Sequence, residues 1–308
     1  MALIKKVEKI WVDGKTIPWD DAHDHVLAHT LHYGLGAFEG IRAYKRADGK
    51  TAIFRLQEHI DRLFDSCHIC TIDLPFTRAQ VIEACKQVLR ENKLEAAYLR
   101  PLVYLGYGAM GLGSLEPPVR TIVAAYEWGA YLGDEGLKKG VRVKVSAFRR
   151  SAVDSFMSKG KICGQYVTSI LAKRDAIKQG FDEAIMLDCN GLVAEATGEN
   201  VFMVRRGVIY TAPLSSPILA GITRDSVLRI SRDLGVEVRE QTFTRDELWC
   251  ADEVFMCGTA AEVTPVREID HRKVGAGECG PITKRVQEAF FDAVKGERAR
   301  YPEWLAYI

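Results

Sequence analysis

Tight turns between short apolar runs constrain the fold of this chain most strongly. Asp13-Gly14 separates the strand-like runs 10–12 and 15–17, and Asn190-Gly191 has the same role later in the chain. Both dipeptides predict β-hairpins. Further predicted strands are 97–105, 121–126, 141–145, 183–187, 192–197, 201–205 and 253–257. Predicted helices are 56–72, one from Thr77, 164–179, 223–234 and one after Pro281, with a capping box at 244–247. This order lacks a regular β-α-β alternation and favours an α+β fold.

The length of 308 residues predicts two domains. The segment 131–140 is rich in glycine, has no clear period and is interpreted as a connector. We therefore predict an N-terminal domain over 1–133, an interdomain connector over 134–140 and a C-terminal domain over 141–308.

Composition excludes several classes of protein. The chain is 47% apolar and 27% charged, and its formal net charge is +1, which argues against disorder and against a nucleic-acid-binding surface. It has no apolar run of the roughly 20 residues that a membrane helix needs and no signal-like start. Eight scattered cysteines favour a reducing, cytoplasmic location.

Three short motifs suggest chemistry that their context does not support. The run 106–111 matches a dinucleotide fingerprint, but Pro117-Pro118 prevents the helix that this motif must open, so we expect a glycine-rich loop beside a pocket. Cys67 and Cys70 have CxxC spacing, which leaves a redox pair and two structural thiols open. The histidines between 23 and 32 lack metal-ligand partners, and no metal site is predicted.

The strongest functional signal is the run from Glu195 to Arg224. It places a carboxylate on a predicted strand and a helix start after Gly221, where free N–H groups favour an anion. The residues alone leave open whether Glu195 is a paired structural acid and Gly221 a plain turn. The thirty-residue pattern, however, resembles the signature of the class IV, fold type IV, pyridoxal-phosphate aminotransferases.

Four other segments resemble the branched-chain version of that family and extend the likeness from about Trp11 to Gln287. They are 32–44, 98–102, 128–133 and 255–265. The resemblance implies a small α/β N-terminal domain and a larger C-terminal domain with a strand-rich, barrel-like core. It also implies pyridoxal 5′-phosphate as cofactor, whose ring acts as an electron sink.

The cofactor needs a lysine for its Schiff base, and Lys159 and Lys161 compete for that role. Spacing alone does not choose between them. The family has its lysine five positions before a tyrosine, in a Lys-x-x-Gly-x-Tyr arrangement, which Lys161 satisfies with Gly164 and Tyr166. The resemblance further implies that Glu195 faces the pyridine nitrogen and that Tyr166 donates to O3′. The implied phosphate contacts are Arg62, Gly221, Ile222, Thr223 and Thr259.

By the same resemblance, one pocket takes both an apolar side chain and the γ-carboxylate of glutamate. The implied substrate residues are Tyr33, Phe38, Gly40, Tyr98, Arg100, Met110, Trp128, Tyr131, Thr259 and Ala260. Arg100 would meet the γ-carboxylate, and Tyr98 with the 259–260 backbone would meet the α-carboxylate. Core packing stays an alternative role for each aromatic residue. A homodimer at least is implied, with assembly into a trimer of dimers left open.

The function implied is ping-pong transamination of leucine, isoleucine and valine with 2-oxoglutarate, through pyridoxamine phosphate. Its partners would be small amino acids and 2-oxo acids, with no nucleic acid and no membrane. Two alternatives share the fold, a D-amino-acid aminotransferase and an aminodeoxychorismate lyase. A nicotinamide oxidoreductase and a non-catalytic binding protein are more distant alternatives.

Overall fold

The computed structural model describes residues 4–129 and 131–308. Ala130, which belongs to the family-like segment 128–133, lies outside the described residues. The strands are β1 (Lys9–Val12), β2 (Lys15–Pro18), β3 (Gly36–Phe38), β4 (Ile41–Lys45), β5 (Thr51–Phe54), β6 (Ala97–Leu105), β7 (Val119–Tyr126), β8 (Val141–Arg149), β9 (Glu183–Leu187), β10 (Val193–Ala196), β11 (Asn200–Arg205), β12 (Val208–Thr211), β13 (Val238–Glu240), β14 (Glu253–Gly258), β15 (Glu262–Ile269), β16 (Arg272–Lys273) and β17 (Leu305–Tyr307). The α-helices are α1 (His29–Tyr33), α2 (Leu56–Ile69), α3 (Arg78–Glu91), α4 (Gly133–Lys139), α5 (Tyr166–Lys178), α6 (Ile222–Asp233), α7 (Arg245–Trp249) and α8 (Pro281–Lys295).

The first of two compact units contains the chain up to Trp128 together with residues 160–165 and 293–308. Its sheet has the order β17-β5-β4-β6-β7-β1-β2, with β3 paired to β6. Apolar side chains of α2 and α3 pack with those of the sheet in one core, which includes Ile60, Leu63, Val88 and Leu99. The same core includes Ala37 of β3 and Ile41 of β4, so it holds these strands and β6 against the two helices.

The second unit contains residues 129–159 and 166–292. Within the described residues, six of its strands close into a barrel in the order β10-β9-β8-β15-β14-β11, because β11 pairs back to β10. The pairs β8–β9 and β15–β8 are parallel, and the other pairs of the ring are antiparallel. Valine is the commonest residue in a buried core that these strands share with the 243–251 segment, as expected for a β-branched residue on a pleated surface.

The structure confirms the α+β fold and the barrel-like core. The Asp13-Gly14 hairpin is present, with φ of +46° and +96°, the left-handed values that a type I′ turn needs. Thr244 and Glu247 form the predicted capping box. The domain boundaries at 133 and 141 stay a prediction.

The segment 131–140, interpreted as a connector without a clear period, contains a helix that the sequence did not predict, because α4 occupies Gly133–Lys139. Its N-terminal turn carries Asp134 and Glu135 and its last turn carries Lys138 and Lys139, so the charges complement the helix dipole. Two predicted helix limits also change. Helix α2 ends at Ile69 rather than 72, and the helix predicted from 164 begins as a 3₁₀ turn, Cys163–Gln165, before α5.

Candidate active site

The main chain of Lys161 is fixed on both sides within the first unit. Its N–H donates to Ser66 Oγ of α2 at 2.9 Å, and its carbonyl accepts the N–H of Phe38 at 3.1 Å. Ala37 and Ile162 form a β-bridge beside it. The Lys161 Nζ lies 5.0 Å from the centroid of the Phe38 ring, so the amine is held against an aromatic face.

A close approach of two glycines permits this arrangement. Gly164 N donates to Gly34 O at 3.0 Å, and a Cβ at Gly34 would lie 3.1 Å from the Cα of Gly164. Gly34 also ends α1 with φ of +73°, a conformation that favours glycine. The glycine of the Lys-x-x-Gly-x-Tyr arrangement thus allows the lysine segment to lie against the 34–38 backbone.

Arg62 is held by a buried carboxylate that the sequence motifs did not single out. Its Nε lies 2.7 Å from Glu39 Oε1 and its Nη2 lies 3.0 Å from Oε2, a two-pronged pair. His59 Nδ1 lies 2.7 Å from the same Oε2, and both Glu39 and His59 are fully buried. Burial by itself raises the pKa of Glu39, but Arg62 and His59 outweigh it and hold that pKa well below its usual range.

His59, in contrast to Glu39, is favoured in its neutral form. Burial lowers its pKa, and the cations Arg62 and Lys161 add to that lowering, while Glu39 opposes it. A lowered pKa favours neutral His59 at pH 7, and neutral His59 can still donate its Nδ1 proton to the carboxylate. Glu39 therefore stays ionised and fixes the plane of the Arg62 guanidinium.

An aromatic wall surrounds Arg100. The Cζ of Arg100 lies 4.8 Å from the centroid of Phe38 and 5.4 Å from that of Tyr98. Trp128 meets Tyr98 edge to face, with centroids 4.5 Å apart. At Gly40 a Cβ would lie 1.9 Å from Tyr98 Oη, so the tyrosine can occupy this position because residue 40 is glycine.

Tyr33 and Met110 occupy more exposed positions in the same unit, at 43% and 41% exposure. Tyr33 contacts the ring of His29, whose Nε2 lies 3.0 Å from Gly111 O in the glycine-rich loop. The run 106–111 opens no helix, as predicted, so a dinucleotide phosphate would lack the helix start that the fingerprint requires.

In the second unit, Glu195 lies on β10 with little solvent exposure. Its Oε1 is 3.1 Å from Arg150 Nη2, and its Oε2 accepts hydrogen bonds from Leu219 N at 3.0 Å and Asn200 Nδ2 at 3.3 Å. Asn200 is the register partner of Glu195 on β11. These donors orient the carboxylate and Arg150 balances its charge.

The predicted anion site is the start of α6, which Gly221 caps. A Cβ at Gly221 would lie 2.0 Å from Asn200 Oδ1, so the amide of Asn200 lies directly against this turn. Ile222 and Thr223 are the first residues of the helix and are buried. The N–H groups of a first helical turn have no partner within the helix and point along its positive end.

Three other predicted residues occupy defined places in this unit. Thr259 and Ala260 form the turn between β14 and β15, and Tyr166 is the first residue of α5. Tyr131 lies with its ring centroid 5.2 Å from Lys173 Nζ. Lys173 pairs with buried Glu183, so the ring of Tyr131 lies beside a buried ion pair.

Glu199 is another buried acid that the sequence reasoning missed. Burial, reinforced by the nearby Glu183 carboxylate, raises the pKa of Glu199 to about 8, while Lys173 opposes the shift. Thr197 Oγ1 donates to Glu183 Oε1 at 2.6 Å, and Gly198 N donates to Glu199 Oε2 at 3.1 Å. One of two carboxyl groups in a single site is thereby kept protonated.

The cysteine motif contains free thiols. Burial raises the pKa of Cys67 to about 12 and that of Cys70 to about 11, which disfavours the reactive thiolates. Over residues 4–129 and 131–308, we find no cluster of His, Cys, Asp and Glu that could hold a metal ion.

Comparison with known proteins decides the family. Residues 36–269 match the model of the amino-transferase class IV family. The chain is 49% identical to the branched-chain-amino-acid aminotransferase of Pseudomonas aeruginosa over 308 residues, all of both chains. It is 45% identical to the enzyme of the same name from Escherichia coli K12, over 99% of this chain and 98% of that one. The chain belongs to the branched-chain-amino-acid aminotransferases.

Solved structures agree with this assignment. The Escherichia coli branched-chain amino acid aminotransferase has a TM-score of 0.95 at 44% identity, over 97% of this chain and 99% of that one. The T.th. aminotransferase with pyridoxamine 5′-phosphate has a TM-score of 0.94 at 48% identity, over 98% and 99%. The family and the fold type IV architecture predicted from the sequence are confirmed.

The donor groups of this aminotransferase fit a phosphorylated pyridine aldehyde. The first unit offers an amine, Lys161, and an oriented guanidinium, Arg62. The second offers a nearly buried carboxylate, Glu195, and the start of a twelve-residue helix after Gly221. An amine suits the aldehyde, a carboxylate suits a protonated ring nitrogen, and a guanidinium and a helix start suit a phosphate.

The competing lysine, Lys159, has a different environment. Its Nζ donates to Ser216 O at 3.0 Å and to Ile218 O at 2.8 Å, within the second unit. An ammonium bound to two carbonyl oxygens is a fixed cation rather than an amine ready to react. This geometry supports the choice of Lys161.

Proposed function

We propose that this aminotransferase transfers the amino group of leucine, isoleucine and valine to 2-oxoglutarate, with pyridoxal 5′-phosphate as cofactor. Full-length identity to branched-chain enzymes supports the reaction. Solved T.th. relatives are complexed with N-(5′-phosphopyridoxyl)-L-glutamate and with 4-methylvaleric acid, one carrying a γ-carboxylate and the other a branched apolar chain. The observation that carries the proposal here is the aromatic wall around Arg100, which offers both kinds of contact.

The proposed cofactor residues follow the sequence prediction. Lys161 holds the cofactor covalently, Glu195 faces its ring nitrogen and Tyr166 donates to O3′. Arg62, Thr259 and the turn 221–223 hold the phosphate. The bound cofactor supplies an electron sink that stabilises the negative charge left when the α-proton departs.

Lys161 is the proposed general base and acid. Once the substrate amine had displaced it, its Nζ would accept the proton of the substrate α-carbon and would then serve as the acid that returns a proton. The clamp on its main chain, from Ser66 and Phe38, restricts the reach of this side chain. Glu195 would hold the proton of the ring nitrogen, and Arg150 Nη2, 3.1 Å from the carboxylate, helps to orient it for this role.

Two substrates of different polarity share the proposed pocket. Phe38, Tyr98 and Trp128 give an apolar surface for a branched side chain, while the Arg100 guanidinium lies on that surface and can pair with a γ-carboxylate. We also assign Tyr33, Gly40, Met110, Tyr131 and the 259–260 backbone to substrate binding. Glutamate binding therefore needs Arg100, and leucine binding needs mainly the rings.

A homodimer is the proposed assembly. Apolar side chains are strongly exposed in the first unit, among them Val26 at 70%, Leu31 at 71% and Leu112 at 89%. Large apolar side chains exposed to this degree suit a surface that a second copy of the chain would cover. Light scattering of the purified protein should give at least twice the 34.4 kDa of the chain. A mass of one chain would contradict the dimer.

The membrane-spanning potential of the helices and the state of the cysteines can both be stated. No helix in residues 4–129 and 131–308 has the length and apolar character needed to cross a bilayer. The eight cysteines, all of them within the described part of the chain, are free thiols, which supports the proposed cytoplasmic location.

Absorbance of the purified holoenzyme tests the reaction. Adding L-leucine should remove the visible band of the covalently held cofactor, and adding 2-oxoglutarate should restore it. D-alanine and aminodeoxychorismate serve as parallel substrates for the two alternatives that share the fold. A loss of the band with D-alanine or aminodeoxychorismate, and none with L-leucine, would overturn the proposed substrate class.

A further inference from the structure

The loop that leads into α6 is held by hydrogen bonds from side chains that lie elsewhere in the second unit. Each carbonyl of residues 216–219 accepts a hydrogen bond from a side chain, and we call this segment the 216–219 loop. The bonds are Lys159 Nζ to Ser216 O at 3.0 Å, Arg150 Nε to Pro217 O at 3.2 Å, Lys159 Nζ to Ile218 O at 2.8 Å and Asn200 Nδ2 to Leu219 O at 3.1 Å. Charged donors make such bonds stronger than neutral ones.

The same loop also reaches the carboxylate of Glu195. Leu219 N donates to Glu195 Oε2 at 3.0 Å. Arg150 and Asn200 each bind both the loop and Glu195, at 3.1 Å and 3.3 Å from the carboxylate oxygens. A displacement of the loop would therefore change the donors that orient Glu195.

Lys159 differs from the other two loop donors, because both hydrogen bonds of its ammonium go to the loop. These bonds, to the carbonyls of Ser216 and Ile218, bracket the tight turn in which Ile218 N donates to Ser216 O at 2.8 Å. Burial lowers the pKa of Lys159, and the neighbouring Glu195 carboxylate partly opposes that shift. The ammonium is thus close enough to Glu195 to interact with it electrostatically while its donors are used on the loop.

We propose that Lys159 is a positioning residue that orients Glu195 through the 216–219 loop. The inference rests on the proposed role of Glu195 at the ring nitrogen. It also gives a role to each of the two neighbouring lysines: Lys161 binds the cofactor, and Lys159 orients Glu195.

The variant Lys159→Met keeps an apolar stem and removes the ammonium. The carbonyls of Ser216 and Ile218 then lose their side-chain donor, and the loop that places Leu219 N on Glu195 is held by Arg150 and Asn200 alone. We expect the single-turnover rate with L-leucine to fall about tenfold, which is the effect of losing one charged hydrogen bond to Glu195. The KM for L-leucine should stay unchanged. Lys159→Arg should restore most of the rate, and Lys178→Met, which removes an exposed lysine of α5, should leave it unchanged.

A second measurement does not depend on turnover. The dissociation constant of pyridoxamine 5′-phosphate, measured by equilibrium dialysis on the full chain, involves no covalent bond to Lys161. We expect Lys159→Met to weaken this binding about tenfold and Lys159→Arg to restore it. If Lys159→Met does not fold, Lys159→Gln, which keeps an uncharged amide donor, is measured in the same way.

A double-mutant cycle with Glu195→Gln separates this inference from the proposed function. If Lys159 acts through Glu195, the double variant should be no slower than Glu195→Gln alone. The role of Lys159 would be overturned if the rate losses of the two single variants added up in the double variant. It would also be overturned if Lys159→Met matched Lys178→Met in rate and affinity, and either result would leave the role of Glu195 intact. Unchanged rate and affinity in Glu195→Gln itself would overturn the proposed function of Glu195.

Discussion

Removing the carboxylate of Glu39 should be among the most damaging single changes in the first unit. This carboxylate binds Arg62 through two oxygens at 2.7 Å and 3.0 Å and His59 at 2.7 Å, and it accepts the N–H of Gly40 at 3.2 Å. Glu39→Ala leaves the nearly buried Arg62 without this counter-charge. Breaking a buried pair in this way costs about 3 to 5 kcal/mol of the free energy of unfolding.

Urea denaturation at neutral pH measures this cost. The matched control is Asp61→Ala on α2, the helix that carries Arg62; Asp61 pairs with Arg78, and the two side chains are 44% and 49% exposed. An exposed pair contributes about 0 to 1 kcal/mol, so the control should unfold at nearly the wild-type urea concentration. If Glu39→Ala and Asp61→Ala lose equal free energy, the reasoning about the buried pair is refuted.

The pH dependence of the same difference follows from the lowered pKa of Glu39. Because the folded-state pKa is held below that of the unfolded chain, the stabilisation from Glu39 is complete above the ordinary carboxyl pKa of about 4.3. It is lost as the pH falls below that value toward the folded-state pKa. The free-energy gap between wild type and Glu39→Ala should therefore be constant from about pH 5 to 8 and narrow in acid.

Two further predictions concern other close contacts. Gly40→Ala places a Cβ 1.9 Å from Tyr98 Oη, so it should lower the free energy of unfolding by about 1 to 3 kcal/mol and raise the KM for L-leucine. The control Gly113→Ala, with no heavy atom within 4 Å of the added Cβ, should leave the melting temperature unchanged, and equal melting temperatures for the two variants would contradict the clash. Glu199, whose pKa is raised to about 8, contributes stability that is full below about pH 4.3 and lost as the pH rises through 8. Glu199→Gln should therefore gain stability relative to wild type between about pH 5 and pH 9 in urea titrations. A constant difference would show that the pKa of Glu199 is the same in the folded and the unfolded chain, which would contradict the raised value.

Local patterns predicted those elements that local interactions determine. The hairpin at Asp13-Gly14 requires two residues with positive φ, and that dipeptide favours such values wherever it occurs. The capping box of Thr244 is likewise complete within four residues. Helix α4 was missed because Gly133 and Gly136 obscured its period, although Glu135 and Lys139 had the i,i+4 spacing of a helical ion pair, which the structure contains.

The supporting contacts of the site could not be predicted in this way. Glu39 and Arg62 are 23 positions apart, and Glu195 and Leu219 are 24 positions apart. Such pairs depend on how strands and helices pack, and no short motif encodes them. The resemblance to a known family named Arg62 and Glu195 because both belong to its motifs, but it did not name the side chains that orient them.

A usable signal for Glu39 was nevertheless present. It is a carboxylate between Phe38 and Gly40 in a mostly apolar strand pattern, and a buried acid needs a cation or several donors. The same signal is weaker for Glu199, an acid four positions after Glu195 in the bend between β10 and β11. In both cases the sequence indicates a buried acid without indicating its partner.

The attachment of the cofactor to Lys161 is the central claim, and it has a direct test. The holoenzyme is treated with borohydride, digested, and its peptides are analysed by mass spectrometry, with Lys161→Ala and Lys159→Ala treated in parallel. We predict a phosphopyridoxyl adduct on Lys161 in the wild type and in Lys159→Ala, and none in Lys161→Ala. An adduct on Lys159, or no adduct in the wild type, would contradict this attachment.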